Sequence, residues 1–175
     1  MMCFDLGGPV NKAAYLFGTA GLSAGTQGAY EIMAAVMISG MVPPIALSIA
    51  TFLRNSLFTP AEQENGKSAW LLGLSFVSEG AIPFAAADPF RVIPAMMLGG
   101  ATAGAVSMAL GVGAQAPHGG VFVIFAYDPW WGMLAALAAG VAVATVAVVA
   151  LKQFWPSHEI RKAAEQAQTP VSATA

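Results

Sequence analysis

Two stretches of this sequence contain no charged residue at all, Val92 to Ala114 and Trp130 to Leu151. A third, Glu31 to Leu53, carries its only charge at its first position. About 20 consecutive apolar residues are enough to cross a hydrocarbon core some 30 Å thick, so each window qualifies as a membrane span. The rest of the chain agrees: of 175 residues, 57% are hydrophobic and 9% charged. A soluble domain carries about 25% charged residues. That composition also excludes disorder over most of the length, since disorder needs low hydrophobicity and high charge. A formal net charge of −2 with no basic patch argues against a nucleic-acid binder. The single cysteine, Cys3, excludes a disulfide scaffold. The expected fold class is an all-α, polytopic membrane helix bundle.

A fourth apolar stretch, Ala69 to Phe90, behaves differently. It opens as a helix-like run to Val77, then meets Ser78-Glu79-Gly80-Ala81-Ile82-Pro83, then a short apolar piece that ends at Asp88-Pro89. Gly80 and Pro83 weaken helix where a spanning segment would be deepest, and Glu79 puts a carboxylate at the break. Irregular backbone at that depth is tolerated only inside protein or against a water-filled cavity. The expectation is a re-entrant hairpin over 69–90 with Glu79 near its tip. Charge placement points the same way. If 69–90 enters and leaves on one side, Arg54, Lys67, Arg91, Lys152, Arg161 and Lys162 share a face and only Lys12 lies opposite. A full crossing would split the cations five against two. Lys and Arg concentrate on the cytoplasmic side, so the C-terminal tail, 152–175, is expected in the cytoplasm. Within it, Ser157 to Gln168 suits a surface helix. Asp5 to Gly28 is too rich in glycine and small polar residues for a span, although Ala13 to Ala20 suits a helix end. Met1 to Asp5 lacks the basic region and apolar core of a signal peptide.

Several strings read together: Phe4-Asp5-Leu6-Gly7-Gly8-Pro9-Val10-Asn11-Lys12, Gly66-Lys67, Ser78-Glu79-Gly80-Ala81-Ile82-Pro83-Phe84-Ala85, Asp88-Pro89-Phe90-Arg91, and Ala116-Pro117-His118-Gly119-Gly120. In this order the chain resembles the C-terminal half of the fructose-specific permease domain, enzyme IIC, of the bacterial phosphotransferase system. The resemblance runs from Phe4 to about Leu151 and makes 1–151 a partial membrane domain of that type. It implies a permease that imports sugar, with fructose first among the candidates, while a cytosolic phosphocysteine component (IIB), charged by a phosphohistidine component (IIA), phosphorylates it. It further implies a bacterial inner-membrane location, sugar contact at Glu79 with its neighbours Ser78 and Gly80, and further candidates at His118 and Asn11. No residue here is an obvious phosphate nucleophile, no cofactor is implied, and the methionines show no metal pattern. A homodimer, or a chain completed by a separate N-terminal half, is the expected assembly.

The residues themselves leave alternatives. Glu79 marks a substrate or ion path by its depth, or is protonated and bonded to broken backbone. His118 donates to a sugar hydroxyl, or holds a glycine-rich turn. Asp88 and Arg91 pair across the hairpin exit. Asp5, Asn11 and Lys12 share a glycine-proline turn, where a substrate role rests on motif alone. Gly100 to Gly104 is a GxxxG that suits helix packing or a dimer contact. Trp130, Trp131 and Trp155 suit interfacial anchoring. An ion-coupled or facilitative transporter, and a non-transporting fragment of a split permease favoured by the start just ahead of Asp5, stay open as functions.

Overall fold

The computed structural model describes residues 1–154. Its helices are α1 (Pro9–Leu22), α2 (Gln27–Leu53), α3 (Pro60–Leu74), α4 (Ile82–Ala87), α5 (Pro89–Ala109) and α6 (Trp130–Phe154). The one small sheet pairs Gly113–Ala114 with Tyr127–Asp128, antiparallel. Three helices, α2, α5 and α6, are long and apolar enough to cross a membrane. With 27, 21 and 25 residues, they extend roughly 40, 32 and 38 Å at 1.5 Å per residue. The chain is an all-α membrane helix bundle. The expected tail helix over 157–168, with Trp155, Arg161 and Lys162, lies outside the described residues.

α2 is the axis of the bundle. Met33, Met37, Ile38, Met41, Val42 and Leu47 are fully buried along it, with α1, α3, α5 and α6 packed around. α5 and α6 approach closely because their contact is made of small residues: a side chain on Gly140 would meet Ala103 and the Gly99 carbonyl. Within the chain, the GxxxG sets Gly100 against Cys3 and Gly104 against Ser39. α5 stops at Ala109, short of Ala114, in a Schellman end: Val112 N–H reaches the Ser107 carbonyl and Gly111 N–H the Met108 carbonyl. The polar-leaning N-terminal region does hold a helix, α1, which runs antiparallel beside α2 with Gly18 against Met33 and Val36.

The hairpin begins earlier than the apolar run. Thr59 caps α3, accepting from Glu62 N–H, while the Glu62 carboxylate accepts from Thr59 N–H at 2.7 Å. This capping box starts helix nine residues before Ala69, on residues too polar to register as part of a hydrophobic window. α3 ends at Leu74, and the chain turns over Ser75–Val77 into a 3-10 turn (Ser78–Ala81) and then α4. The two limbs return to one end of the bundle. There Lys152 of α6 meets Glu62 at 2.8 Å and Asp88 at 4.0 Å, and Arg91 pairs with Asp88 at 3.3 Å. Lys152 and Glu62 are buried, and the Lys152 ammonium also sits 4.1 Å over the Phe58 ring.

Candidate functional site

The reversal at the hairpin tip is made by Phe76, not by Gly80 or Pro83. Phe76 has φ +65, and its N–H reaches Gly73 while Val77 N–H reaches Leu72. This is a second Schellman end, with a phenylalanine where glycine is usual. Left-handed backbone costs a side-chain-bearing residue about 1–2 kcal/mol, and burial of the ring beside Gly40 and Tyr15 offsets it. Gly80 is not at the bend. It lies within the 3-10 turn, buried against Leu72 and Pro44, and its carbonyl accepts from Asn65. Pro83 stands in the first turn of α4, where its missing N–H is harmless.

What holds the tip against α2 is written in Pro43 and Pro44. Both lie inside α2 and cannot donate to the carbonyls four residues earlier. The two freed acceptors, Ser39 and Gly40, are taken by other segments: Cys3 Sγ donates to Ser39 at 3.2 Å and Ser78 Oγ donates to Gly40 at 2.9 Å. Gly40 lies midway along α2, so the hairpin tip and the N-terminal segment meet near the middle of the bundle.

A cavity of about 600 Å³ opens beside this junction, lined by Asn11, Lys12, Tyr15, Phe76, Ser78, Glu79 and His118 among others. That volume is ordinary for a small-molecule site. Four of the five residues expected to contact ligand, Glu79, Ser78, His118 and Asn11, line it; Gly80 does not. Their polar groups are not equally free. The Ser78 hydroxyl is engaged with Gly40, and the Asn11 amide donates to the Met2 carbonyl at 2.6 Å. One donor of each is therefore engaged within the protein. Glu79 is exposed to the cavity, and among the described residues its carboxylate has no hydrogen-bond partner. A glutamate wired into broken backbone would have one. His118 is likewise exposed, its ring edge-on to Phe76 with centroids 6.1 Å apart.

Two glycines set this arrangement by letting backbone come close. Gly7, at φ +113, lies against Glu79; a side chain there would meet Glu79 Cγ at 2.8 Å and Oε1 at 3.0 Å. Gly120, at φ +59, lies against the Leu74 carbonyl and Phe76 N–H, which docks the His118 loop on the hairpin tip. Asp5 is structural: its two carboxylate oxygens accept from Val10 N–H at 2.7 Å and Asn11 N–H at 2.9 Å, capping α1. Lys12 is placed differently from the sequence count. It stands beside the tip, near the midpoint of α2, and so belongs to neither end of the bundle. Sequence reasoning does not single out Gly7 and raises Lys12 on motif alone; Pro43-Pro44 is the readable signal for the tip, since it fixes which α2 carbonyls need partners.

This segment has close relatives. It is 54% identical over 156 residues to the PTS system fructose-specific EIIB'BC component of Escherichia coli K12, covering 87% of this chain and 27% of that protein. It is 47% identical over 165 residues to the PTS system fructose-specific EIIC component of Haloferax volcanii, covering 94% of this chain and 42% of that protein. The chain is a homologue of the fructose-specific EIIC components. Its similarity to the PTS system fructose-specific EIIABC component of Bacillus subtilis, 50% over 125 residues, covers 71% of this chain and 19% of that protein. This EIIC homologue thus spans less than half the length of each of these relatives. No family model matches it, and no solved structure does.

Proposed function

We propose that this chain forms the sugar-binding part of a phosphoenolpyruvate-dependent phosphotransferase permease, with fructose as the sugar. The observation that carries the reading is the Glu79 carboxylate, without a protein partner among the described residues, facing a cavity halfway along the central helix. An ionisable group at that depth is costly and by default marks a substrate or ion path. As an acceptor-only carboxylate it takes hydrogen bonds from two neighbouring hydroxyls, which suits a sugar. Tyr15 and Phe76 supply apolar wall beside it. The phosphoryl donor is a cytosolic phosphocysteine component, itself charged by a phosphohistidine component. The relatives whose names join B, or A and B, to C support this. The membrane chain contributes proximity and orientation.

In this reading the end that carries Arg54, Lys67, Arg91 and Lys152 is cytoplasmic, by the preference of basic residues for that side. Because both hairpin limbs return to that end, 69–90 is re-entrant and its tip brings Glu79 to mid-membrane. The C-terminus is then cytoplasmic as well. The site is completed by a second copy or by the remaining part of a full-length relative.

The test is fructose binding by the chain in lipid nanodiscs, alone and with the remaining part of a full-length relative supplied in trans. Glu79→Gln keeps size but loses charge and turns one acceptor into a donor. A charge-assisted hydrogen bond contributes about 1.5–3 kcal/mol, so affinity falls roughly ten- to a hundredfold. Binding within about twofold of the parent, below any charged-bond loss, rejects the ligand role.

A further inference from the structure

We infer that Lys12 is the anion-binding residue of the same cavity and holds the phosphate of the phosphorylated sugar. The inference rests on the reading of this cavity as a sugar site and adds the chemical class of a second ligand, a sugar phosphate monoester.

Lys12 and Glu79 line one cavity at the middle of the bundle. A lysine at that depth carries the same default as a glutamate: it faces a cavity or a partner and serves a function. No group among the described residues accounts for it. Among the described residues Lys12 makes no ion pair and no side-chain hydrogen bond, whereas Lys67 and Lys152 each do. The nearest acid in sequence, Asp5, has both oxygens taken by Val10 and Asn11 N–H groups. Glu79, the carboxylate that lines the cavity among the described residues, stands against Gly7 and makes no ion pair with Lys12.

A neutral sugar has no need of a cation. A phosphate monoester does, because it carries close to two negative charges at neutral pH and meets the Glu79 carboxylate in the same space. Lysine binds phosphate as a mobile point charge, and a low-dielectric site magnifies both the repulsion from Glu79 and the attraction to Lys12. The two charged residues therefore divide the work: Glu79 takes sugar hydroxyls, and Lys12 takes the group that makes the product different from the substrate. The side chain is exposed, so a substitution there leaves the packed junction at Gly40 untouched.

The experiment measures binding of fructose, fructose 1-phosphate, fructose 6-phosphate and inorganic phosphate to the full chain in nanodiscs, with the remaining part of a relative supplied. Lys12→Gln is expected to weaken a sugar phosphate by roughly ten- to a hundredfold, the size of a lost charge-assisted bond. Fructose stays within about twofold, since a neutral ligand loses no such bond. Lys12→Arg retains most sugar phosphate affinity. Equal loss of fructose and its phosphates in Lys12→Gln overturns the inference in favour of a counter-ion for Glu79. Unchanged sugar phosphate affinity also overturns it, as does inorganic phosphate binding as tightly as the monoesters. A parent that binds no fructose fails at the earlier step and removes the sugar-site reading itself.

Discussion

The ring of Phe76 occupies the space that a side chain at Gly40 would fill, with its Cε2 2.5 Å from where that Cβ would stand. The pair explains how a phenylalanine holds left-handed backbone at the hairpin tip. Gly40→Ala forces the ring out of its slot, and overpacking of this kind costs about 1–3 kcal/mol. The expected result is a lower thermal midpoint in detergent, with Phe76→Leu in the Gly40→Ala background recovering part of it. A Gly40→Ala chain as stable as the parent contradicts this packing.

Ser78 and Pro44 make a second, separable prediction. The Ser78 hydroxyl satisfies the Gly40 carbonyl, which Pro44 cannot. Ser78→Ala leaves a buried acceptor unpaired, at about 1–3 kcal/mol. Pro44→Ala returns the missing N–H to α2. The double variant Ser78→Ala/Pro44→Ala should therefore be more stable than Ser78→Ala alone. Strict additivity of two losses would show that the carbonyl was not the shared element.

The parts of this molecule legible in the sequence are those set by composition over long windows. Val92 to Ala114 and Trp130 to Leu151 lack charge, and a helix is the only open structure that satisfies backbone in lipid, so α5 and α6 follow at once. Glu79 stands out for the converse reason, a charge where none belongs. Local geometry was less legible. Gly80 and Pro83 have low helix propensity, yet Phe76 makes the turn, because tertiary burial of its ring outweighs propensity. α3 begins on polar residues, where the signal is a capping box rather than hydrophobicity. Lys12 reads as a face-marking cation until α1 is seen to start near mid-bundle, a position set by the Asn11 contact to Met2 and by the Cys3 contact to the Ser39 carbonyl that Pro43 leaves free.

The proposed topology rests on which ends share cations. With Thr59 at the Lys152 end and Asp128 at the opposite end, beside the start of α2, single cysteines at the two positions report opposite sides. Cys3 is buried and bonded to Ser39, so it contributes little background. In intact cells Asp128→Cys should react with an impermeant thiol reagent and Thr59→Cys should not. The reverse pattern would invert the proposed orientation.

The buried cluster at the base of the hairpin predicts a pH dependence. Burial pushes the Asp88 carboxyl above its ordinary range, against the pull of Arg91 and Lys152 and with a further push from Glu62. A group that holds its proton more tightly when folded stabilises the fold at low pH, and this contribution declines as pH rises from the ordinary carboxylate value through the raised one. Asp88→Asn removes the titration while keeping the shape. Its thermal midpoint relative to the parent should therefore rise between pH 4 and pH 8. Glu62→Gln tests the ion pair itself. It leaves the Lys152 ammonium buried without its 2.8 Å partner, and breaking a buried pair in this way costs about 3–5 kcal/mol. The double variant Glu62→Gln/Lys152→Met removes both charges and should recover most of that loss, since well-packed apolar groups replace buried ion pairs at little cost. A Glu62→Gln chain with parental stability, or a double variant no better than the single one, would mean that the base of the hairpin is held by packing around Phe58 and Phe84 rather than by these charges.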